Sequence, residues 1–590
     1  MNRDEISAMV SMRRPLWPRR ALVLTGLAAL AGINLLFGLG RIGLLGPDEP
    51  RYAAIARAMW RSGNWITPRL AGRVWLQKPV LYYWLGALSF HLFHPSTAAA
   101  RLPNAVLAVL MAGALAWFIG RRVCFRAGAL AAALGVSSAF VIGFGRAAST
   151  DMPLAAAMTF SLLCLYQGLH APSPDEPRPW RARPGQGWLI AAGIFLGFAV
   201  LAKGPVAIVL EAPVFLLYMT AQRRWEWWRR ILNPWPWLAF FLTAAPWYCA
   251  LEWRHRGFFY SFFWRQNLER FATNRYHHPQ PGWFYLPILL GAIFPWSGWL
   301  LLPLDEAGRG LPAAWRRWRD AQAMTASPEA GLMLFFGFWL IAPVAFFSLS
   351  SSKLPSYILP AIPGCLGLLA LCGERAWRNK FPRPPLLITA ACAALLFPVL
   401  GLMPWFLSVP ALRPPWFHLL LLPRVWLGGL IFIVLAQWAW RRRVILTCAL
   451  TLAITAAFVA GILQHWHQQF DLRASARPLA RRLDDAFRQP YRAQLEGRGS
   501  LPAHAPVYEW HLNRDWVYGL EFYRRQVPRP LPPFSRLPPR GWLLTDRNQV
   551  AALRRKARAH GYELAPVQAV PAGAPWRWLE FAKTSAAQSK

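Results

Sequence analysis

The sequence predicts an α-helical protein that crosses a membrane many times and has a small α/β unit at its C-terminal end. Of its 590 residues, 55% are hydrophobic and only 15% are charged. This composition suits a lipid environment better than a soluble globule. Apolar runs close to the ~20 residues needed to cross a bilayer recur between about residue 20 and residue 463, and the rest of the sequence lacks them.

The formal net charge of +39 includes many arginines in short clusters between the apolar runs. In a soluble protein such a charge would suggest a nucleic-acid partner, but in a membrane protein short basic loops indicate the cytoplasmic side. We therefore expect no nucleic-acid partner. The clusters lie at 121–126, 178–183, 223–230, 309–319, 375–383 and 441–443.

Placing every cluster in the cytoplasm defines the predicted topology. Successive loops alternate between the two sides of the membrane only if the apolar stretch 80–93 does not cross it, and the short length of this stretch supports that interpretation. Residues 43–100 then form one long periplasmic loop that contains a short interfacial helix. About thirteen spans result, at 21–42, 101–120, 127–147, 152–170, 187–202, 205–221, 235–253, 284–303, 330–350, 356–374, 386–407, 418–440 and 444–463.

The odd number of spans places the C-terminal part in the periplasm. The first span is expected to remain as an anchor, because no small-residue cleavage site follows the basic segment 1–20. We predict a membrane domain at 1–463 and a periplasmic domain at 464–590. In the second domain we expect helices at 473–487 and 546–560, strands at 506–512 and 541–545, a loop at 524–540, and Asp546 as a helix cap. Its basic surface suits either an anionic partner or ordinary solubility.

Ionisable residues gather at the predicted periplasmic ends of the helices. Such residues are costly beside lipid and mark functional sites. Cations can clamp phosphate oxygens while a carboxylate orients or deprotonates an acceptor group. The set therefore predicts a site that handles phosphate. Its members are Asp48, Glu49, Arg51, Tyr52, Lys78, Arg146, Asp151, Lys203, Arg265, Arg270, His277, His278, Lys353 and Tyr357.

Each member also has a purely structural explanation. Asp48 and Asp151 stand where helices are expected to begin, so either carboxylate could cap a helix. Lys203 and Lys353 are followed by turn-forming prolines and could reach from the membrane to its surface. The convergence of the set, rather than any single residue, favours catalysis.

Several motifs in this set resemble those of a known family. Residues 46–52 read Gly-Pro-Asp-Glu-Pro-Arg-Tyr, followed by Lys-Pro at 78–79 and Tyr-Trp at 83–84. Further along come Thr-Asp-Met at 150–152, Lys-Gly-Pro at 203–205 and Lys-Leu-Pro-Ser-Tyr-Ile-Leu-Pro at 353–360. Together these motifs resemble the bacterial aminoarabinose transferases, which belong with the protein O-mannosyltransferases among the GT-C glycosyltransferases.

The resemblance implies a GT-C membrane fold with thirteen spans and a periplasmic C-terminal domain. It implies transfer of a sugar, 4-amino-4-deoxy-L-arabinose in the family, from undecaprenyl phosphate to lipid A phosphate or a related envelope acceptor at the inner membrane. Asp48 would be the principal catalytic carboxylate and Asp151 its support, while Lys78, Arg270 and Tyr357 would surround the donor phosphate. We expect supporting roles for Glu49, Arg51, Tyr52, Arg146, Lys203 and Lys353, and no nucleotide or redox cofactor.

Two departures from the family pattern concern a divalent metal. Gln77 stands where the family has glutamate, and Gln266-Asn267 stands where it has Glu-His. Neutral amides are poor zinc ligands, so we expect this metal site to be weak or absent. The same change leaves the sugar open, and transfer of another sugar to a different envelope glycan or protein is an alternative.

Two other classes of protein also fit many helices with buried polar groups. A transporter or flippase for lipid-linked sugars would show internal repeats and broken helices paired across two halves. We find no such repeat in the sequence. In a non-catalytic envelope assembly factor, Asp48 and Asp151 would only cap helices, and asparagine would replace them without loss.

Overall fold

The computed structural model describes residues 17–171, 184–269, 280–320, 322–325, 327–407, 423–488, 507–524, 528–566 and 574–584. Apolar segments form long helices up to residue 461. Among them, α1 is Trp17–Ala31, α2 Asp48–Ser62, α3 Leu81–Phe93, α4 Thr97–Arg122, α5 Phe125–Ser137, α6 Ala139–Gly145, α7 Asp151–Leu169, α8 Gln186–Lys203, α9 Val206–Gln222, α10 Trp227–Ile231 and α11 Pro234–Arg254. They continue with α12 Tyr285–Ala292, α13 Leu301–Arg319, α14 Pro328–Leu349, α15 Ile362–Arg378, α16 Arg383–Leu407, α17 Pro423–Trp440 and α18 Val444–Gly461.

The multi-pass prediction is confirmed. Six helices in the described ranges are long and apolar enough to cross a membrane, and a bent pair raises this to as many as seven. Five shorter apolar helices accompany them: Arg20–Leu36, Val206–Gln222, Gly282–Ala292, Arg383–Leu396 and Leu427–Trp440. The stretch 80–93 forms the 13-residue helix α3, whose length of about 20 Å is too short to cross a bilayer.

Two predicted spans are not single straight helices. The span 127–147 bends by 58° between α5 and α6. At that break the hydroxyls of Ser137 and Ser138 donate to carbonyls one turn back, a contact that bends helices. The span 284–303 is also wrong as one helix, because α12 ends at Ala292 and a 3₁₀ turn at Ser297–Leu300 follows. Pro295 lies in the gap, where it has no N–H to continue the helix.

The C-terminal part folds as a three-layer α/β unit. Its helices are α19 His467–Ala474, α20 Arg477–Arg488, α21 Arg514–Tyr523 and α22 Val550–Ala559. Its strands, numbered after β1 Arg69–Leu70 and β2 Arg73–Val74 of the first loop, are β3 Val507–Trp510, β4 Arg529–Pro530, β5 Arg540–Asp546, β6 Tyr562–Pro566 and β7 Trp576–Lys583. The sheet order is β4-β3-β5-β7-β6, with β3 parallel to β4 and β5, and β7 antiparallel to β5 and β6.

Alternating side chains of this sheet enter two separate cores. Leu544 and Trp578 pack with α20 and α21 on one face, while Leu543 and Phe581 pack with α22 on the other. This period of two is the pattern of a strand covered on both faces. The predicted helix at 473–487 and strands at 506–512 and 541–545 match elements of this unit. The residues predicted as a loop at 524–540 also contain the short strand β4.

The predicted role of Asp546 as a cap is wrong. A 3₁₀ turn at Arg547–Gln549 precedes α22, and Asp546 makes no capping hydrogen bond to it. Its carboxylate instead accepts a hydrogen bond from the Asn513 backbone N–H at 3.3 Å. Asp546 therefore joins the end of β5 to the start of α21.

Helix α21 packs against α2 and the rest of the first long loop. The Leu44 N–H donates to the Tyr523 hydroxyl at 2.8 Å, and the Thr97 hydroxyl lies 3.0 Å from the same oxygen. Arg57 donates to the Phe522 carbonyl, and the Phe522 side chain is buried. The C-terminal unit is thus attached directly to the loop that contains the candidate site.

Candidate active site

Arg51 connects three parts of the chain at the start of α2. Its guanidinium donates to the Asp48 carboxylate and, at 3.2 Å, to the Tyr52 hydroxyl. It also lies 5.6 Å from the ring centre of Trp75 and 6.0 Å from that of Tyr518 on α21, close enough for cation–π attraction. The Arg51 side chain is 14% exposed and that of Asp48 is 62% exposed. The arginine is therefore held in place while the carboxylate remains open to a ligand.

The two predicted catalytic carboxylates converge on Tyr52. Burial raises the pKa of the Tyr52 hydroxyl, and the negative charges of Asp48 and Asp151 raise it further, partly opposed by Arg51. Asp48 and Asp151 are 103 positions apart in sequence, yet both act on this one hydroxyl. That the two carboxylates share one site stays a prediction, which their common effect on the Tyr52 pKa supports.

Asp151 is paired with Lys203 at the end of α8. The Lys203 ammonium donates to the Asp151 carboxylate, and both side chains are largely buried, with 12% and 15% exposed. The same ammonium lies 5.1 Å from the ring centre of Tyr357. Asp151, Lys203 and Tyr357 thus form a second group beside the one around Arg51.

Neither Asp48 nor Asp151 caps its helix with its side chain. The N-cap residues are Pro47 for α2 and Thr150 for α7, and neither helix has a side-chain capping hydrogen bond. Both aspartates lie in the first turn and use their carboxylates in ion pairs instead. The structural explanation by capping therefore does not account for their positions.

Glu49, next to Asp48, has a different environment. Its two carboxylate oxygens accept from Arg101 Nε at 2.9 Å and Nη2 at 2.6 Å. They also accept from the backbone N–H groups of Leu45 and Ala148 at 2.7 and 2.8 Å. Glu49 and Arg101 are both buried. This pair fixes the first loop to the segment before α7, which positions Asp48 relative to Asp151.

Two further predicted residues, Arg146 and Lys353, contact backbone carbonyls in the structure. Arg146 donates to the carbonyls of Asn34 and Phe37 at 3.1 and 2.8 Å, where the first span ends. Lys353 is buried and donates to the Ser350 carbonyl at 2.5 Å. Both contacts are to backbone, so these two cations shape the loops around the site. Lys78 lies half-buried between β2 and α3.

The remaining predicted residues divide by where they lie. Arg265 lies in the π-helix Tyr260–Leu268, and its guanidinium is 5.5 Å from the Tyr260 ring centre. Arg270, His277 and His278 lie outside the described residues. The predicted contact of Arg270 with the donor phosphate therefore remains a prediction.

Three buried hydrogen-bond donors near Arg51 have no partner among the described residues. They are Arg51 Nε itself, the Trp75 indole N–H and the Tyr83 hydroxyl. The Tyr83 ring centre lies 6.2 Å from that of Tyr52. A buried donor without a partner costs about 1–3 kcal/mol. This region is consequently prepared for a ligand with several acceptor oxygens, such as a phosphate.

Arg101, Trp75 and Tyr518 were not among the residues predicted from the sequence. A signal for Arg101 was present, because a lone arginine inside an apolar helix is costly and needs a buried partner. For Tyr518, which reaches the site from the C-terminal unit, the local sequence has no comparable signal. On the same helix, burial raises the pKa of Asp515, Arg514 partly offsets this, and the Asp48 charge raises it further.

The residues at the family's metal positions do not fit a divalent metal. Gln77 is exposed, and Asn267 is a neutral amide in the π-helix Tyr260–Leu268. No group of three His, Cys, Asp or Glu side chains in the described ranges is arranged to hold a metal ion. We therefore assign no step of the reaction to a metal.

The chain is similar to known glycosyltransferases. The family model described as dolichyl-phosphate-mannose-protein mannosyltransferase matches residues 42–262, which include both aspartates. An undecaprenyl phosphate-alpha-4-amino-4-deoxy-L-arabinose arabinosyl transferase of Pseudomonas aeruginosa (strain UCBPP-PA14) is 36% identical over 344 residues, or 58% of this chain and 57% of the relative. A second such transferase, from Sodalis glossinidius, is 33% identical over 357 residues, or 60% of each chain. The match thus spans less than two thirds of the length of these relatives.

Solved structures extend the likeness to nearly the whole chain. ArnT from Cupriavidus metallidurans bound to undecaprenyl phosphate aligns with a TM-score of 0.67 at 23% identity, covering 94% of this chain and 97% of ArnT. Its apo form aligns with a TM-score of 0.69 at 22% identity and the same coverage. The resemblance read from the sequence is confirmed: the chain is similar to the bacterial aminoarabinose transferases over more than half its length and has the GT-C fold of ArnT.

Proposed function

We propose that this protein transfers 4-amino-4-deoxy-L-arabinose from undecaprenyl phosphate to a phosphate of lipid A. The observation that carries the proposal is the combination, at one place, of an exposed carboxylate on Asp48 and three donors around Arg51 that have no partner in the described part of the chain. Such a site suits a reaction between two phosphates: the undecaprenyl phosphate that leaves the sugar and the lipid A phosphate that attacks it. The identity to the arabinosyl transferases supports the choice of sugar.

In the proposed reaction, the bond between the sugar C1 and the oxygen of undecaprenyl phosphate breaks. The leaving phosphate takes the electron pair, and an oxygen of the acceptor phosphate forms the new bond to C1. Cations beside the leaving phosphate are worth most when its charge develops in the transition state. We assign this role to Lys78 and Arg270, while the Tyr357 hydroxyl would donate a hydrogen bond to the same phosphate and Lys203 holds Asp151 nearby.

Asp48 would orient the acceptor phosphate and accept its proton where it carries one. Arg51 positions this carboxylate, since its guanidinium contacts Asp48 and Tyr52 at once. An incoming phosphate would compete with Asp48 for the Arg51 guanidinium and gain the unpaired donors around it. Binding of the acceptor would thereby release the carboxylate for its role in the reaction.

The finer topology is part of the same proposal. We place the chain in the bacterial inner membrane with about thirteen spans, a membrane domain at 1–463, and the site and the domain 464–590 in the periplasm. In support, the basic cluster 375–383 begins in the last turn of α15, at the end farther from Tyr357, and the cluster 441–443 lies between α17 and α18. The turns that contain them follow α15 and α17, while the opposite ends of α15 and α18 lead to Tyr357 and to the C-terminal unit.

Mass spectrometry of lipid A tests the proposal in cells with and without the gene. We expect a 4-amino-4-deoxypentose mass on lipid A that disappears in the deletion and is not restored by Asp48→Asn. The matched control is Asp320→Asn, which removes an exposed carboxylate beyond the end of α13 and should restore the modification fully. Full restoration by Asp48→Asn would refute the catalytic role of Asp48.

A second candidate is transfer of another sugar, or transfer to another envelope glycan or protein. The replacement of the family's Glu and His by Gln77 and Asn267 favours it, because those positions lie near the donor in the family. Unchanged lipid A in the deletion, together with a sugar lost from another envelope component, would select this alternative.

A further inference from the structure

A cavity of about 430 Å³ lies at the end of α15 that is farther from Tyr357. It is formed by the last turn of α15 and by the turn between α17 and α18. Three cations line it, Lys380, Arg442 and Arg443, together with the aromatic rings of Trp377 and Phe381. Among the described residues that line it, none is acidic. The cavity thus combines concentrated positive charge with an apolar wall.

The cations of this cavity are not neutralised by the described part of the protein. Arg442 Nε is buried and has no hydrogen-bond partner there. Lys380 and Arg442 both adopt left-handed backbone conformations, with φ of +68° and +55°. Such conformations cost a non-glycine residue about 1–2 kcal/mol and are often kept at ligand sites. The arrangement suits an anion with several acceptor oxygens.

The position of the cavity separates it from the proposed donor site. From Tyr357 the chain passes through the end of a 3₁₀ helix and then along α15 to Trp377, a distance of about 30 Å. This is close to the thickness of the bilayer hydrocarbon. The cavity therefore lies where the headgroups of the opposite leaflet would be.

Apolar side chains around the cavity point to a lipid rather than a soluble anion. Trp440 is 58% exposed, Ile445 65% and Leu446 39%, and all three are on the elements that form its rim. Arg383 donates to the Trp440 carbonyl at 3.0 Å and lies 4.4 Å from the Trp440 ring centre. This contact joins the start of α16 to the end of α17 and keeps the rim in place. Exposed apolar side chains beside a cationic cavity would accept acyl chains while the cations hold a headgroup.

We propose that this cavity binds the phosphate headgroup of an anionic phospholipid from the leaflet opposite to the Asp48 site. Basic pockets between membrane helices are a known way to bind such headgroups. The recognised chemistry is a phosphate diester with apolar tails. Free phosphate shares the anionic part of this chemistry and is distinguished by the experiment.

Native mass spectrometry of the full-length protein in detergent is the test, with phosphatidylglycerol and phosphatidylcholine as probes. We expect the protein to retain phosphatidylglycerol in preference to phosphatidylcholine. The variant Lys380→Gln/Arg442→Gln/Arg443→Gln should bind phosphatidylglycerol about a hundredfold more weakly, since each cation near a lipid surface contributes roughly 1 kcal/mol. The control Arg309→Gln/Arg316→Gln/Arg319→Gln removes the same charge from α13 and should retain the lipid.

Three results would overturn the proposal. The first is equal retention of the two lipids by the unmodified protein, a comparison that stays valid even if the triple variant does not fold. The second is equal loss of phosphatidylglycerol in the control variant, which would show that general surface charge is responsible. The third is displacement of the bound lipid by millimolar inorganic phosphate, which would identify a site for free phosphate instead.

Discussion

The buried pair of Glu49 and Arg101 should make the first loop sensitive to the loss of either partner. Arg101 satisfies both oxygens of Glu49 and also donates to the carbonyls of Leu39, Ile42 and Gly43. Arg101→Met keeps an apolar stem of similar length but leaves the Glu49 carboxylate buried without a cation. Breaking such a pair costs about 3–5 kcal/mol, so we expect Arg101→Met to destabilise the protein by that amount.

Unfolding by SDS in mixed micelles measures this loss, and a double-mutant cycle identifies its source. If the uncompensated charge causes the loss, adding Glu49→Gln to Arg101→Met should recover part of the stability. The coupling free energy between the two positions should then lie at about 0.5–3 kcal/mol. Asp48→Asn is the matched comparison, because it breaks an exposed ion pair worth at most about 1 kcal/mol.

Three results would refute this reasoning. If Arg101→Met lowered the free energy of unfolding by less than about 1 kcal/mol, water would have to reach the Glu49–Arg101 pair, and the pair would behave as a solvent-exposed one. Additive effects of the two substitutions would mean that Glu49 and Arg101 do not interact. An Asp48→Asn variant as unstable as Arg101→Met would contradict the separation between a structural and a functional carboxylate.

Three further substitutions test other parts of the structure. Lys203→Met removes the cation that holds Asp151 and should lower kcat for sugar transfer by about 10²-fold or more, while a change in KM alone would contradict the assignment. Burial raises the pKa of Glu521 above its ordinary 4.5, so the stability it contributes is present at low pH and lost as pH rises through the raised value. Glu521→Gln should therefore flatten the fall in Tm as the pH rises above 4.5, and an unchanged slope would be evidence against it. Gly43→Ala would place a methyl group against the Ser475 side chain of the C-terminal unit and should lower the free energy of unfolding by about 1–3 kcal/mol. The control Gly113→Ala faces open space and should leave that free energy unchanged. SDS unfolding measures both.

Local sequence predicted the elements whose length or periodicity is sufficient by itself. The 13-residue helix α3 and the long helix α7 both follow from the length of their apolar runs. The bend at Ser138 did not follow, because it depends on hydroxyl contacts within an otherwise apolar run. The break before Ser297 was also missed, although Pro295 gave a local signal for it.

The candidate site shows a similar division. Asp48 and Asp151 were predicted because ionisable residues at the ends of apolar runs are costly and because their motifs resemble those of the aminoarabinose transferases. Sequence could not separate Asp48 from Glu49, since the difference depends on Arg101, which lies 52 residues further along. Tyr518 could not be found at all, because its approach to Arg51 requires the packing of α21 on α2.

The contact between α21 and α2 has a consequence for how the protein is made. Arg51 leaves the ribosome roughly 470 residues before Tyr518 and Tyr523, which at bacterial rates of synthesis is about half a minute to a minute and a half. During that time Arg51 has no contact with the Tyr518 ring, and the Leu44 N–H has no Tyr523 hydroxyl as its acceptor. A nascent chain inserted in the membrane would therefore have both aspartates in place but an unfinished site. Completion of the last domain would be the event that starts activity, so chains that stall before it would remain in the membrane without consuming the lipid-linked sugar.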